Sequence, residues 1–285
     1  MTGAVAVIGT GHIGGGVAAS LLRTGASVVV RDIRPEATVE FAGRARIAGS
    51  AREAVASCAA ALIAVVDEDQ VRDVLWGRDG LLEAAEPPPI AGVLSTISVR
   101  ALTECAARAA ERGVALLDCA VTGAASGARE GRLVSLVGGT PDDFARLRPV
   151  LEGYSVRVLH VGGLGAGLKA KLARNLLTYG TLLAAHEARL LAERSGVNVE
   201  TLAEAIRVSD EQIGGSARHL LRVAGTGGRR GDPGRSEAAA SARLLHKDLS
   251  AARELAAELG LALPLAEHVE RRAEEIFGLA EGGRS

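Results

Sequence analysis

Aromatic side chains are nearly missing from this 285-residue chain: one Trp, two Tyr and three Phe make up 2% of it. The core must therefore be built from Ala, Val, Leu and Ile, and there are almost no rings on which unpaired bases could stack. An excess of either charge is missing too. Lys and Arg number 33 against 34 Asp and Glu, a formal net charge of -1, so no overall field draws in a nucleic acid or an anionic membrane. Cysteine is scarce: Cys58, Cys105 and Cys119 are too few and too scattered for a disulfide framework or a clustered zinc site, which points to a reducing, cytoplasmic location. No basic segment precedes an apolar stretch that would serve as a signal peptide or membrane span. The first 22 residues lack Lys, Arg, Asp and Glu, but glycines at 3, 9, 11, 14, 15 and 16 interrupt them, so they read as a buried strand and turn.

Glycine, by contrast, is plentiful at 36 residues. That is well above the usual share of roughly 7%, and without a three-residue period it signals tight turns rather than collagen. The length suggests two domains. Ala4-Val5-Ala6-Val7-Ile8 is a short apolar run ended by glycine, residues 17–22 have helical spacing, and 27–30 form a second strand closed by Arg31-Asp32. Further apolar runs at 61–66, 92–95, 114–118 and 133–137 alternate with Ala-rich helical stretches. Runs that are continuous rather than alternating imply a sheet covered on both faces. Residues 164–194 read as one long helix with Leu168, Leu172, Leu176, Tyr179 and Leu183 along a stripe. Residues 224–236 read as a mobile glycine- and arginine-rich loop, helix resumes from 237, and 271–285 is expected to fray at its glycine-rich end. The expected fold is α/β: a Rossmann-type doubly wound sheet over 1–162, then a long interdomain helix and an all-helical C-terminal domain over 163–285.

Gly9-Thr10-Gly11-His12-Ile13-Gly14 is G-x-G-x-x-G between a strand and a helix. Gly9 allows the tight turn, Gly11 lets a pyrophosphate approach the backbone, Gly14 allows close packing of helix on strand, and the phosphates meet the positive end of the helix beside His12 and Ile13. Asp32 follows roughly 20 residues on, at the end of the second strand, where a carboxylate accepts hydrogen bonds from the adenosine ribose. An acid there repels a 2′-phosphate and favours NAD, while Arg31 and Arg34 keep NADP open. Lys171 and Asn175 stand at i and i+4 on the long helix and share a face, so Asn175 can orient a substrate hydroxyl while Lys171 gives or takes its proton. Lys169 faces elsewhere. Thr122 and Gly123 follow an apolar strand and offer a hydroxyl and backbone N–H groups to a carboxylate. Cys119 reads as a packed apolar residue, and the histidines at 12, 160, 186, 219, 246 and 268 show no metal-ligand spacing, so no metal is expected.

Four stretches in order carry a family resemblance: the segment from Gly9 to Pro35; Asp118-Cys119-Ala120-Val121-Thr122-Gly123-Ala124, similar to D-A-P-V-S-G-G; Gly163 to Asn175, similar to G-x-x-G-x-G-x-x-x-K-x-x-x-N; and Lys247-Asp248-Leu249. Together they resemble the β-hydroxyacid dehydrogenase family, which includes 3-hydroxyisobutyrate dehydrogenases and tartronate semialdehyde reductases. The resemblance implies hydride transfer between NAD and a small β-hydroxyacid or its carbonyl form, with the substrate acid held by Thr122 and Gly123. It places Val66 on the adenosine side of the cofactor, Thr96 by the nicotinamide ribose and Lys247 over the nicotinamide half, and it implies a homodimer or homotetramer formed through the C-terminal domain. Ala120, Ala124 and Ala240 depart from the family's proline, glycine and phenylalanine, which suggests a reshaped pocket. Two other readings stand beside this one. An imine reductase would share the fold but usually lacks the lysine at 171, and a catalytically silent NAD-binding module would tolerate loss of Lys171 and Asn175.

Overall fold

The computed structural model describes residues 3–215 and 235–279. These fall into two compact units, Met1–Arg174 and Asn175–Ser285. The first is built on an eight-stranded sheet in the order β3-β2-β1-β4-β5-β6-β7-β8. Its strands are β1 (Ala4–Ile8), β2 (Val28–Arg31), β3 (Arg46–Ile47), β4 (Cys58–Ile63), β5 (Ile90–Val93), β6 (Ala115–Thr122), β7 (Leu133–Gly138) and β8 (Ser155–Gly162). Helices α1 (His12–Arg23), α2 (Ala51–Ala54), α3 (Glu68–Trp76), α4 (Val99–Ala110), α5 (Ala124–Glu130) and α6 (Pro141–Glu152) connect them. All pairings are parallel except that of β6 with β7. Side chains alternate across each strand, so Ala6, Ile8, Ala61 and Ile63 enter one buried cluster while Val5, Val7, Ala60 and Leu62 enter another. A sheet buried on both faces is what the continuous apolar runs implied.

Three strands differ from the sequence expectation, the first being β3, a two-residue edge strand too short to carry an apolar pattern. β6 does not stop at Asp118 but runs on to Thr122, past the level where Val93, the last residue of β5, pairs with Asp118. β7 folds back along this extension, from Val134 opposite Thr122 to Gly138 opposite Asp118. β8 was not expected. It lies at the sheet edge with Val156, Leu159 and Val161 exposed, so its sequence lacks the long apolar run of a central strand.

A long helix, α7 (Ala166–Arg194), follows β8. The expected division after residue 162 and the division at Arg174 differ by the opening turns of α7, which are hydrogen-bonded to β6. Past α7 the described residues form α8 (Val199–Ile213), α9 (Arg235–Glu258), α10 (Pro264–Arg271) and α11 (Ala273–Ile276), with no strand among them. The loop expected over 224–236 lies outside the described residues up to 234, as does the last part of the expected fraying, 280–285. No described helix is long and apolar enough to cross a membrane. The stripe on α7 is not uniformly buried: Leu168 is buried, whereas Leu172, Leu176, Tyr179 and Leu183 are exposed, Leu176 by 76%.

In the second unit one buried carboxylate ties two helices. Glu187 of α7 accepts the N–H groups of Leu265 and Ala266 at 2.8 and 3.3 Å, supplying to α10 the cap that Leu263 lacks. Glu187→Ala is expected to strip two charge-assisted bonds and lower stability by about 2 kcal/mol, read as a lower urea midpoint for helix loss.

Candidate active site

The glycine turn follows β1 directly. Gly9 has φ +90°, which an L side chain rarely adopts, and a Cβ there would run into the Ala64 carbonyl; one on Gly14 would run into the Gly9 carbonyl. A Cβ on Gly11 would meet nothing within 4 Å. Gly11 therefore keeps an open approach rather than a packed one. As the N-cap of α1 it offers no side-chain hydrogen bond, and the first turn holds no acid. The N–H groups of His12, Ile13 and Gly14 are thus left to a ligand, in a setting that suits a pyrophosphate.

Asp32 lies just past β2, 8% exposed. The Thr10 backbone N–H donates to its Oδ2 at 2.7 Å and the Arg34 backbone N–H to its Oδ1 at 2.9 Å. Burial works against the charge, but these N–H groups and the Arg34 guanidinium, whose Nε lies 3.5 Å away, outweigh it and hold the carboxyl below its ordinary value. Asp32 thus stays ionised and braces the glycine turn, its Oδ2 also accepting from the Thr10 hydroxyl at 3.3 Å and its Oδ1 from Arg34 Nε at 3.5 Å.

The carboxyl ends of β4 and β5 continue this edge. Chain order runs outward from β1 to β2 in one direction and from β4 to β5 in the other, so the crevice for a dinucleotide lies between β1 and β4. Val66 is 81% exposed there, and Thr96 is exposed after β5. Ser95 links the two loops: its Oγ accepts the Val65 N–H at 2.9 Å and donates to the Val65 carbonyl at 2.7 Å.

Thr122 ends β6, Gly123 follows with φ +132°, and Ala124 has φ +59°. Ala124 thus keeps a left-handed backbone despite its Cβ, at a cost on the order of 1 kcal/mol. Lys171 is half-buried and Lys169 exposed. Burial and the nearby Arg174 guanidinium push the Lys171 pKa below the usual lysine value. Asn175 is half-buried one helical turn further on. Burial pushes the Cys119 thiol far up, with Asp118 adding to the shift, so it carries no activated thiolate. Lys247 is exposed on α9 and pairs with Asp248 at 3.4 Å.

The structure thus gathers Gly9, Gly11, His12, Ile13, Gly14, Asp32, Val66 and Thr96 along one sheet edge of the first unit. Asn175 and Lys247 belong to the second. A cavity of about 430 Å³ beside Thr24, Ser27 and Pro149 lies at the opposite edge and has no titratable lining residue. Sequence reasoning gave no role to Asp118 or Ser95. For Asp118 a signal existed, a lone acid inside an apolar strand.

Two family models match the chain, one on each side of residues 163–164. Residues 4–162 match the NAD binding domain of 6-phosphogluconate dehydrogenase, and residues 165–284 match the NAD-binding part of NADP-dependent 3-hydroxyisobutyrate dehydrogenase. An uncharacterized oxidoreductase of Mycobacterium tuberculosis is 32% identical over 272 residues, 95% of this chain and 92% of that protein. The 3-hydroxyisobutyrate dehydrogenase of Pseudomonas aeruginosa is 35% identical over 208 residues, 72% of this chain and 69% of its own length. A crystal structure of an oxidoreductase from Mycobacterium avium superposes with a TM-score of 0.84 at 30% identity, covering 98% of this chain and all of the other.

Proposed function

This chain belongs to the β-hydroxyacid dehydrogenase family and carries its NAD(P)-binding domain, and from that premise we propose that it interconverts a small β-hydroxyacid with its semialdehyde or keto form. Nicotinamide, when bound, accepts or delivers hydride at C4. Thr122 and Gly123 hold the substrate carboxylate, Asn175 aligns the hydroxyl, and Lys171 takes the hydroxyl proton in oxidation or returns it in reduction. The glycine turn and Asp32 hold the dinucleotide, with Val66 and Thr96 beside it and Lys247 assigned by its K-D-L motif. The observation that carries the reading is the half-buried Lys171, its pKa lowered as a proton carrier requires.

The test is a panel of 3-hydroxyisobutyrate, L-serine and L-threonate, substrates named for relatives of the chain, assayed with NAD and NADP by nicotinamide absorbance. Turnover of at least one acid is expected. Turnover of a cyclic imine with none of a hydroxyacid would overturn the reading.

NAD is the preferred cofactor in this reading, because Asp32 meets two ribose hydroxyls in NAD and a phosphate in NADP. Asp32→Ala is expected to weaken both cofactors, since it also releases Thr10, and to narrow the gap between them. A wild-type preference for NADP in kcat/KM would show that Arg31 or Arg34 decides instead. The exposed Leu176 and Tyr179 on α7 support assembly into a homodimer or homotetramer. A monomer by light scattering at micromolar concentration would count against it. The three buried free cysteines suit a reducing, cytoplasmic setting.

A further inference from the structure

Asp118 is fully buried in β6, between Val93 of β5 and Gly138 of β7. Its Oδ1 accepts the Gly165 N–H at 2.8 Å and its Oδ2 the Leu168 N–H at 2.7 Å. Gly165 immediately precedes α7 and Leu168 lies in its first turn, and no Lys or Arg pairs with this carboxylate among the described residues. The start of the helix is also seated without slack. A Cβ on Gly138 would strike Asp118 Oδ1, and one on Gly167 would strike the Leu136 carbonyl and come 2.8 Å from Asp118 Oδ2. Leu168 itself is fully buried in the core that includes Ile97 and Leu102. Lys171 lies one turn beyond Leu168.

We infer that Asp118 is a positioning residue for Lys171, its carboxylate clamping the first turn of α7 so that the lysine emerges from a fixed helix start. This rests on the reading of Lys171 as the proton carrier. A need for helix capping alone is met by a neutral Ser, Thr or Asn. Burying a carboxylate without a cationic partner is costly and is offset here only by backbone N–H groups and the helix dipole. Both oxygens are used on amides three residues apart, which fixes the rotation of the helix about its axis as well as its height. That rotation decides where a side chain one turn later points.

The test uses the full-length Asp118→Asn variant. A carboxamide accepts from only one of the two N–H groups and presents its own NH₂ to the other. Competitive labelling with acetic anhydride, read by mass spectrometry, compares Lys171 with the exposed Lys169 of the same helix. The Lys171 to Lys169 ratio is expected to change at least about threefold in Asp118→Asn. With the panel acid that the wild type oxidises fastest, kcat is expected to fall at least tenfold while KM for NAD stays within about twofold. A role confined to holding the fold would lower the melting temperature and leave both the labelling ratio and kcat of the folded enzyme unmoved, and that result overturns the inference. Should Asp118→Asn not fold, Gly167→Ala keeps the carboxylate and displaces the helix start against it; an unchanged labelling ratio there overturns the inference as well. Lys171→Ala run in parallel separates the two ideas. If it retains turnover, the proton-carrier reading fails, whereas the labelling ratio reports on the clamp independently of turnover.

Discussion

Lys171→Ala is expected to lower turnover by about a hundredfold to ten-thousandfold while NAD affinity changes little. The ammonium group is asked to act mainly in the transition state, where the substrate oxygen gains or sheds its proton, and it is not asked to hold the dinucleotide. Lys171→Arg is expected to fail as well, because a guanidinium keeps the charge but does not surrender a proton near neutral pH. The pH dependence has a definite sign. Burial and Arg174 favour the neutral amine, so the group titrates below an ordinary lysine. Oxidation needs the neutral amine and is expected to rise with pH through that lowered pKa; reduction needs the ammonium and is expected to fall through the same value. Steady-state kcat in both directions, for wild type and both variants, checks this. Near-normal turnover in Lys171→Ala would remove the lysine from the chemistry and direct attention to His12, His246 or bound water.

The second large effect belongs to Gly11→Ala. A Cβ there meets no atom within 4 Å, so the folded chain accepts it, and the melting temperature is expected to stay within a degree or two. The same methyl group occupies the space through which a pyrophosphate would reach the α1 amides. NAD binding is expected to weaken by about a hundredfold, a loss of roughly two tenfold steps in affinity. Gly14→Ala makes the contrast, since its Cβ would run into the Gly9 carbonyl and the turn itself must shift. Calorimetric titration with NAD, alongside thermal melting of each variant, separates a blocked ligand from a broken fold. An unchanged NAD affinity in Gly11→Ala would place the phosphates elsewhere.

How far the sequence reveals this molecule depends on how local each feature is. β1, the glycine turn and β2 are legible because strand, turn and strand each carry their own signal within about thirty residues. β8 is not, because an edge strand with exposed Val156 and Leu159 resembles a loop as much as a buried strand. The return of β7 antiparallel to β6 is likewise invisible, since strand direction is decided by the partner and not by the run of residues. Lys171 is legible from its motif and helical spacing. The Asp118 contacts that fix the helix beneath it bridge residues 47 and 50 positions apart, which no local pattern announces. The left-handed backbone at Ala124 belongs to the same class: the replacement of a glycine is visible in the chain, but whether the backbone yields to it is not.

The composition of α1 carries a consequence for how the chain reaches its native state. Gly14, Gly15 and Gly16 stand in succession inside a helix of 12 residues, each costing about 1 kcal/mol relative to alanine. Such a segment does not persist as an isolated helix in water. It is held by contacts distant in sequence: Ser20 Oγ donates to the Ala128 carbonyl at 2.7 Å across 108 residues, and Gly16 leaves no room for a Cβ beside Ala128. Closing a loop of that length is an entropic barrier that precedes any gain from the contact. The amides poised to receive a phosphate therefore rest in part on a contact that forms only when residue 128 comes back to residue 20.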